Sequence, residues 1–111
     1  MANTLKKISG PAYIADAAAD IYTPQAATIY TVIRHIHIAN VTATAATFSL
    51  YVGATGGSAG GTELFNEYSV AADSTYDYYC VLKLLSTEFL SGVASAATTL
   101  TITVEGELVV V

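Results

Sequence analysis

The strongest pattern in the chain is an alternation of apolar and polar residues. It is clearest at residues 47–52, 75–84 and 99–105, where every second residue is Phe, Tyr, Leu, Ile, Val or Cys. Successive side chains of a β-strand point to opposite faces, so this period of two is typical of half-buried strands. Turn-forming residues separate such segments at fairly even spacing. The pattern predicts about eight strands, at residues 11–14, 20–23, 28–39, 47–53, 63–70, 75–84, 89–95 and 99–110.

These strands predict an all-β chain, because no window shows a sustained helical period. The Ala-rich segment at residues 15–20 is too short to form a stable helix. A chain of 111 residues is long enough for one domain with its own core. We therefore predict a single-domain antiparallel β-sandwich, jelly-roll-like, formed by residues 20–111, with residues 1–19 as an N-terminal arm.

The composition disfavours several classes of partner. The chain has 4 Lys+Arg against 9 Asp+Glu, a net charge of −5, and this does not provide the basic surface that nucleic acid requires. A secretory signal would need an apolar segment after Lys6-Lys7, but Ser9-Gly10-Pro11 follows almost at once. No later run approaches the ~20 apolar residues of a membrane span. We predict folding in a cytoplasm, with no membrane anchor and a charge-poor surface that suits contact with other proteins.

Two histidines in the strand-like segment Ile33-Arg-His-Ile-His-Ile-Ala-Asn40 raise the question of a metal site. His35 and His37 share one face of a strand, about 7 Å apart. In cupin-type jelly rolls a Glu follows such a pair four residues later, but Val41 stands there and the chain has no third histidine. We predict no metal site in one subunit. A trimer that brings three pairs to its axis remains an alternative.

The same alternation assigns a face to every residue of this strand. It places Ile36 and Ile38 toward the core, with Ile33, His35 and His37 on the opposite face, partly covered by a neighbour. Arg34 falls on the inward face and needs a carboxylate or backbone carbonyls as partners. Asp77, Glu67 or an acidic patch on another subunit are the alternatives.

Other candidate motifs favour structural roles. The glycine-rich residues 53–61 lack the Lys-Ser/Thr of a phosphate-binding loop and predict a hairpin loop. In Tyr76-Asp-Tyr-Tyr79, two rings are expected in the core and Tyr79 at a surface or interface, although a carbohydrate site is an alternative. Cys80 is expected to be a buried, unreactive thiol. Without a Gly-x-Ser-x-Gly motif or a base beside Cys80, we predict no enzyme and no cofactor.

The order of these motifs resembles small β-sandwich virion structural proteins of tailed bacteriophages. The resemblance covers residues 20–107 and lies in Arg34-His-Ile-His-Ile-Ala-Asn40, Thr47-Phe-Ser-Leu50, the glycine-rich loop, Tyr76-Asp-Tyr-Tyr79 and Leu100-Thr-Ile-Thr103. It implies a capsid decoration (cement) protein that is assembled in the host cytoplasm and binds the major capsid protein or other virion proteins as a multimer, with a homotrimer favoured.

That resemblance leaves other functions open. A tail or head-to-tail junction protein belongs to the same class, whereas a host-surface carbohydrate-binding module and a metal-stabilised trimeric spike belong to others. The interface candidates are the outward cations and rings, together with Arg34 for its alternative contact with another subunit: Lys6, Lys7, Arg34, His35, His37 and Tyr79.

Overall fold

Two four-stranded sheets pack face to face in the computed structural model, which describes residues 2–23, 28–54 and 60–110. All regular structure in these ranges is strand. The strands are β1 (Ala2–Tyr13), β2 (Ala19–Tyr22), β3 (Thr28–Asn40), β4 (Ala46–Gly53), β5 (Glu63–Val70), β6 (Thr75–Leu85), β7 (Phe89–Ala94) and β8 (Leu100–Val110). The described ranges include no helix with the length and hydropathy that a membrane span requires.

The strand order is β1-β8-β3-β6 in one sheet and β2-β7-β4-β5 in the other, and every pairing is antiparallel. The chain therefore pairs its first strand with its last and works inward, as β1–β8, β2–β7, β3–β6 and β4–β5. This is the arrangement of an eight-stranded jelly roll. The predicted single-domain antiparallel β-sandwich is confirmed.

The core lies between the two sheets and is built from the apolar half of each alternating strand. Ile36 and Ile38 of one sheet and Phe48 and Leu50 of the other are at most 1% exposed. Complete burial of one such side chain contributes about 1.5–3 kcal/mol. A buried hydrogen bond of 2.8 Å between the hydroxyls of Tyr22 and Thr31 also joins the sheets.

Aromatic rings close the sandwich where edge strands β5 and β6 face each other. The ring centroids of Phe65 and Tyr78 lie 4.9 Å apart, and those of Tyr68 and Tyr76 lie 4.5 Å apart. Such ring pairs stabilise the fold beyond the effect of the area that the rings bury. The prediction that Tyr76 and Tyr78 face the core is confirmed, since both pack against it.

Strand β1 corrects the prediction that residues 1–19 form an arm outside the sandwich. Residues 2–13 pair with β8 from Ala2↔Val110 to Tyr13↔Thr101. The register shifts twice, between Lys7 and Ser9 and between Ser9 and Ala12. These irregularities and Gly10-Pro11 remove the alternation that marks other strands, and edge strands tolerate both. The predicted start of the first strand, at residue 11, was therefore too late.

A β-bulge in β3 corrects the faces predicted for Ile33 and Arg34. Between Ile33 and His35 the pairing on β8 advances by only one residue, so β3 carries an extra residue there. Ile33 and Ile36 are consequently both fully buried, and the side chain of Arg34 is 52% exposed. Strict alternation fails here because a bulge shifts the phase of a strand by one residue.

Two loops lie partly outside the described residues. β4 and β5 form the predicted hairpin, and residues 55–59 of its glycine-rich loop are among those not described. The same holds for residues 24–27, between β2 and β3.

Candidate functional site on the outer face of the β1-β8-β3-β6 sheet

The outer face of this sheet gathers most of the ionisable side chains that the sequence singled out. His35 and His37 of β3, Asp77 of β6 and Glu105 of β8 form a group that we call the histidine–carboxylate cluster. Three adjacent strands supply it, with the histidine strand in the middle. The cluster is therefore a product of strand pairing rather than of one sequence motif.

Asp77 lies between the two histidines. It pairs directly with His37 across the β3–β6 ladder, and His35 lies two residues along the same face. Its Oδ1 atom is 2.6 Å from Nδ1 of His37 and 2.8 Å from Nε2 of His35. The hydrogen bonds from His37, and secondly from His35, hold the pKa of Asp77 below its ordinary value. Asp77 is therefore a carboxylate that accepts from both rings.

His35 is held by carboxylates on both of its ring nitrogens. While Nε2 contacts Asp77, Nδ1 lies 3.2 Å from Oε1 of Glu105, the residue paired with His35 on β8. Burial of His35 opposes its protonation, but the hydrogen bonds to Asp77 and Glu105 outweigh it and the pKa of His35 is raised. The imidazole is thus fixed at both ends.

Tyr79 fixes the plane of the same imidazole. Its ring stacks on His35 with a centroid separation of 4.4 Å and an angle of 4° between the planes. Tyr79 is nevertheless 74% exposed, so the stack leaves most of the tyrosine side chain uncovered. The prediction of Tyr79 at a surface is confirmed, and the stretch Tyr76–Tyr79 presents one highly exposed ring to solvent.

Arg34 pairs with Glu107, a partner that the sequence did not single out. Its Nε and Nη2 atoms lie 2.9 Å and 2.6 Å from Oε2 of Glu107. Neither Asp77, which is hydrogen-bonded to the histidines, nor Glu67, which lies on β5 of the other sheet, is this partner. Contact of Arg34 with an acidic patch on another subunit stays a prediction. An ion pair this exposed contributes at most about 1 kcal/mol.

The outward side of edge strand β6 is unusually apolar. Tyr79, Val81 and Leu85 are 74%, 75% and 53% exposed, and we call them the β6 outer row. Lys83 lies between Val81 and Leu85, with its Nζ atom 4.6 Å from the centre of the Tyr30 ring. This row starts at the histidine–carboxylate cluster and continues along the sheet edge.

The remaining predicted residues, Lys6, Lys7 and Cys80, are not members of the cluster. Lys6 and Lys7 are exposed on β1 and line a depression of about 380 Å³. Arg34, His35 and Glu105 also line it.

Cys80 is half-buried, and its Sγ donates to the carbonyl of Ile33. Burial raises the pKa of the Cys80 thiol, as expected of an unreactive thiol.

Sequence reasoning missed the carboxylates of the cluster. Asp77 had entered only as a partner for Arg34 or as part of a carbohydrate site, and Glu105 had been given no role. Alternation did place both on outward faces, but it could not show that β6 and β8 flank β3. That information lies in the strand order.

Comparison with known proteins finds no family model that matches the chain and no curated protein with significant similarity to it. The site must therefore be interpreted from its own geometry.

Proposed function

We propose that this chain is a structural protein of a tailed-bacteriophage virion, a decoration protein that binds the outer capsid surface as a multimer. The observation that carries the proposal is the β6 outer row, where three large apolar side chains are more than half exposed on one edge strand. The resemblance of residues 20–107 to virion structural proteins points in the same direction.

An edge strand of this kind requires a covering partner. Its backbone donors and acceptors are unpaired on one side, and proteins usually protect such edges with charges, bulges or short strands. Here Lys83 is the only charged side chain between residues 78 and 85 of β6, and the apolar residues around it are exposed. Tyrosine is enriched and charge is depleted at the centres of protein interfaces. Contact with another protein would bury the row.

The remaining surface suits a protein that packs into a shell. The chain has 13 charged residues in 111, from 4 Lys+Arg and 9 Asp+Glu, so its surface is formed largely by uncharged side chains. Eight-stranded jelly rolls occur in viral capsid proteins and in lectins, an analogy that agrees with the proposal without assigning it. A homotrimer is the multimer that we propose, since the resemblance favours it and closed symmetry would let every copy present the same row to the shell.

The test is the binding of purified protein to capsids that lack it, prepared from the virus that carries the gene. We expect saturation at a copy number set by the shell symmetry. Val81→Lys, which places a charge in the β6 outer row, should weaken this binding at least tenfold, since burying an unpaired charge costs several kcal/mol. Copy number by quantitative mass spectrometry and the position of the bound density provide the measurements.

Val41→Lys is the matched control, because Val41 is 50% exposed in the turn after β3 and lies outside the row. It should bind as the unmodified protein does. Absence of binding to capsids contradicts the proposal, and density at the tail or at the head-to-tail junction would assign the protein there instead. A glycan-array signal that disappears with Tyr79→Ala would favour a carbohydrate-binding module.

A further inference from the structure

We propose that His35, His37 and Asp77 bind a divalent transition-metal ion, with Zn²⁺ as the fitting representative, within a single subunit. Each of the three residues offers one ligand atom, a ring nitrogen or a carboxylate oxygen, and these atoms all lie within 4.8 Å of one another. The site does not depend on the proposed role in a virion.

The donor atoms already converge on one point. Two ligands of a tetrahedral zinc ion, each about 2.0–2.1 Å from the metal, lie about 3.3 Å apart. Nε2 of His35 and Nδ1 of His37 are 2.8 Å and 2.6 Å from Oδ1 of Asp77. Separating these two nitrogen–oxygen pairs by about 0.5 Å and 0.7 Å would therefore make room for the ion. The two ring nitrogens donate N–H groups to the carboxylate in this arrangement, and an ion bound between them and Asp77 would replace those two protons.

Glu105 provides an observation independent of the three donors. Histidines that bind metals almost always donate their other ring N–H to a carboxylate, a carbonyl or water, which fixes the tautomer and makes the binding nitrogen more basic. His35 has this arrangement, since Nδ1 contacts Glu105 while Nε2 faces the proposed metal position. Tyr79 fixes the plane of the same ring by stacking on it. The ligand is thus oriented before any metal binds.

The donor set defines the class of metal. Two imidazoles and one carboxylate suit Zn²⁺ and its neighbours in the first transition series, whereas Mg²⁺ and Ca²⁺ prefer oxygen ligands alone. Three protein ligands leave one tetrahedral position open for water. The side chains of His37 and Asp77 are 38% and 36% exposed, so an ion can reach the site from solvent.

The experiment titrates tag-free protein with Zn²⁺ in a calorimeter and with Co²⁺ by visible absorption. We expect one ion per chain, and ¹⁵N spectra should show the largest shifts at Nε2 of His35 and Nδ1 of His37. Asp77→Asn and His37→Ala should each weaken Zn²⁺ binding by more than the roughly 10–100-fold that loss of a second-shell partner costs. Glu105→Gln should weaken Zn²⁺ binding only by an amount within that range of roughly 10–100-fold.

Asp73→Asn is the matched control, because it makes the same charge change in the turn before β6, where a φ of 52° also suits asparagine. It should bind Zn²⁺ as the unmodified protein does. Circular dichroism of each variant confirms its fold, and the nitrogen shifts of the unmodified protein test the site without any substitution. Lack of binding, equal binding by Asp77→Asn, or shifts at other nitrogens would overturn the proposal.

Discussion

Asn40 shows how one buried polar side chain organises a turn of the sandwich. It is 3% exposed, and its Nδ2 donates to the carbonyl oxygens of Thr44 and Val70 at 2.9 Å and 3.1 Å. Its Oδ1 accepts from the backbone N–H and the hydroxyl of Thr42. One amide group thereby ties the turn after β3 to the end of β5. Buried polar groups require such partners, because each unsatisfied one costs about 1–3 kcal/mol.

We expect Asn40→Ala to lower the free energy of unfolding by about 2–4 kcal/mol, since it leaves two carbonyls and one N–H without their partner. Urea denaturation followed by tyrosine fluorescence measures the change. Thr44→Ala is the control, because it retains the backbone carbonyl that Asn40 uses. Its free energy of unfolding should stay within about 0.5 kcal/mol of that of the unmodified protein. A loss below 1 kcal/mol for Asn40→Ala would show that water replaces the amide.

At the same scale, the sequence identified part of the candidate site. His35 and His37 could be assigned to one face because they lie two residues apart, and Tyr79 to a surface by the alternation of β6. Their relation to Asp77 and Glu105 could not be derived, because it depends on residues 40 or more positions away in the chain. A search for ligands along one strand therefore finds only half of a cluster that spans three.

At the scale of elements, the bulge in β3 depends on Gly106 of β8. A Cβ atom at Gly106 would lie 2.0 Å from the carbonyl oxygen of Val32, where no side chain fits. The two backbones approach this closely at the point where the register shifts, next to His35 and Glu105. Gly106 thus permits the bulge in β3 that turns Arg34 outward.

We predict that Gly106→Ala lowers the free energy of unfolding by about 2–4 kcal/mol, because β8 must move away from β3 to relieve the overlap. Gly60→Ala is the matched control, since its added Cβ would meet nothing within 4 Å. The free energy of unfolding of Gly60→Ala should stay within about 0.5 kcal/mol of that of the unmodified protein. Thermal and urea unfolding of both variants give the comparison, and equal stability would contradict the close approach.

Strand prediction succeeded wherever burial imposed the period of two. The segment predicted at residues 75–84 is β6, Thr75–Leu85, and the one predicted at 99–110 is β8, Leu100–Val110. It failed for the N-terminal half of β1, because an edge strand with two register shifts need not alternate. The bulge in β3 left a trace that strict alternation overlooked: Arg34 and His35 are two polar residues in succession, so the apolar residues Ile33 and Ile36 lie three positions apart.

At the scale of the whole molecule, β1 is part of the sandwich and its removal should be costly. We expect deletion of residues 2–9 to lower the free energy of unfolding by ~2 kcal/mol or more, because β8 loses its pairing partner and Ile8 leaves the core. An arm outside the sandwich would give almost no change. Urea midpoints of the full chain and the deletion distinguish the two.

A double variant, Lys6→Ser with Lys7→Ser, separates loss of charge from loss of the strand. Both lysines are exposed, so this variant should keep the stability of the full chain within about 0.5 kcal/mol. If it is as unstable as the deletion, the two cations stabilise the fold and the pairing of β1 does not.

The central position of β8 also has a consequence for synthesis. This strand lies between β1 and β3, and Ala2 pairs with Val110 at the far end of the chain. A ribosome adds about 5–20 residues each second, so β1 waits roughly 5–20 s before its partner has been made. Throughout that interval the sheet has neither its central strand nor a closed core. The two sheets can pack completely only after β8 has been made, and until then β1 lacks its pairing partner and is open to pairing with other strands.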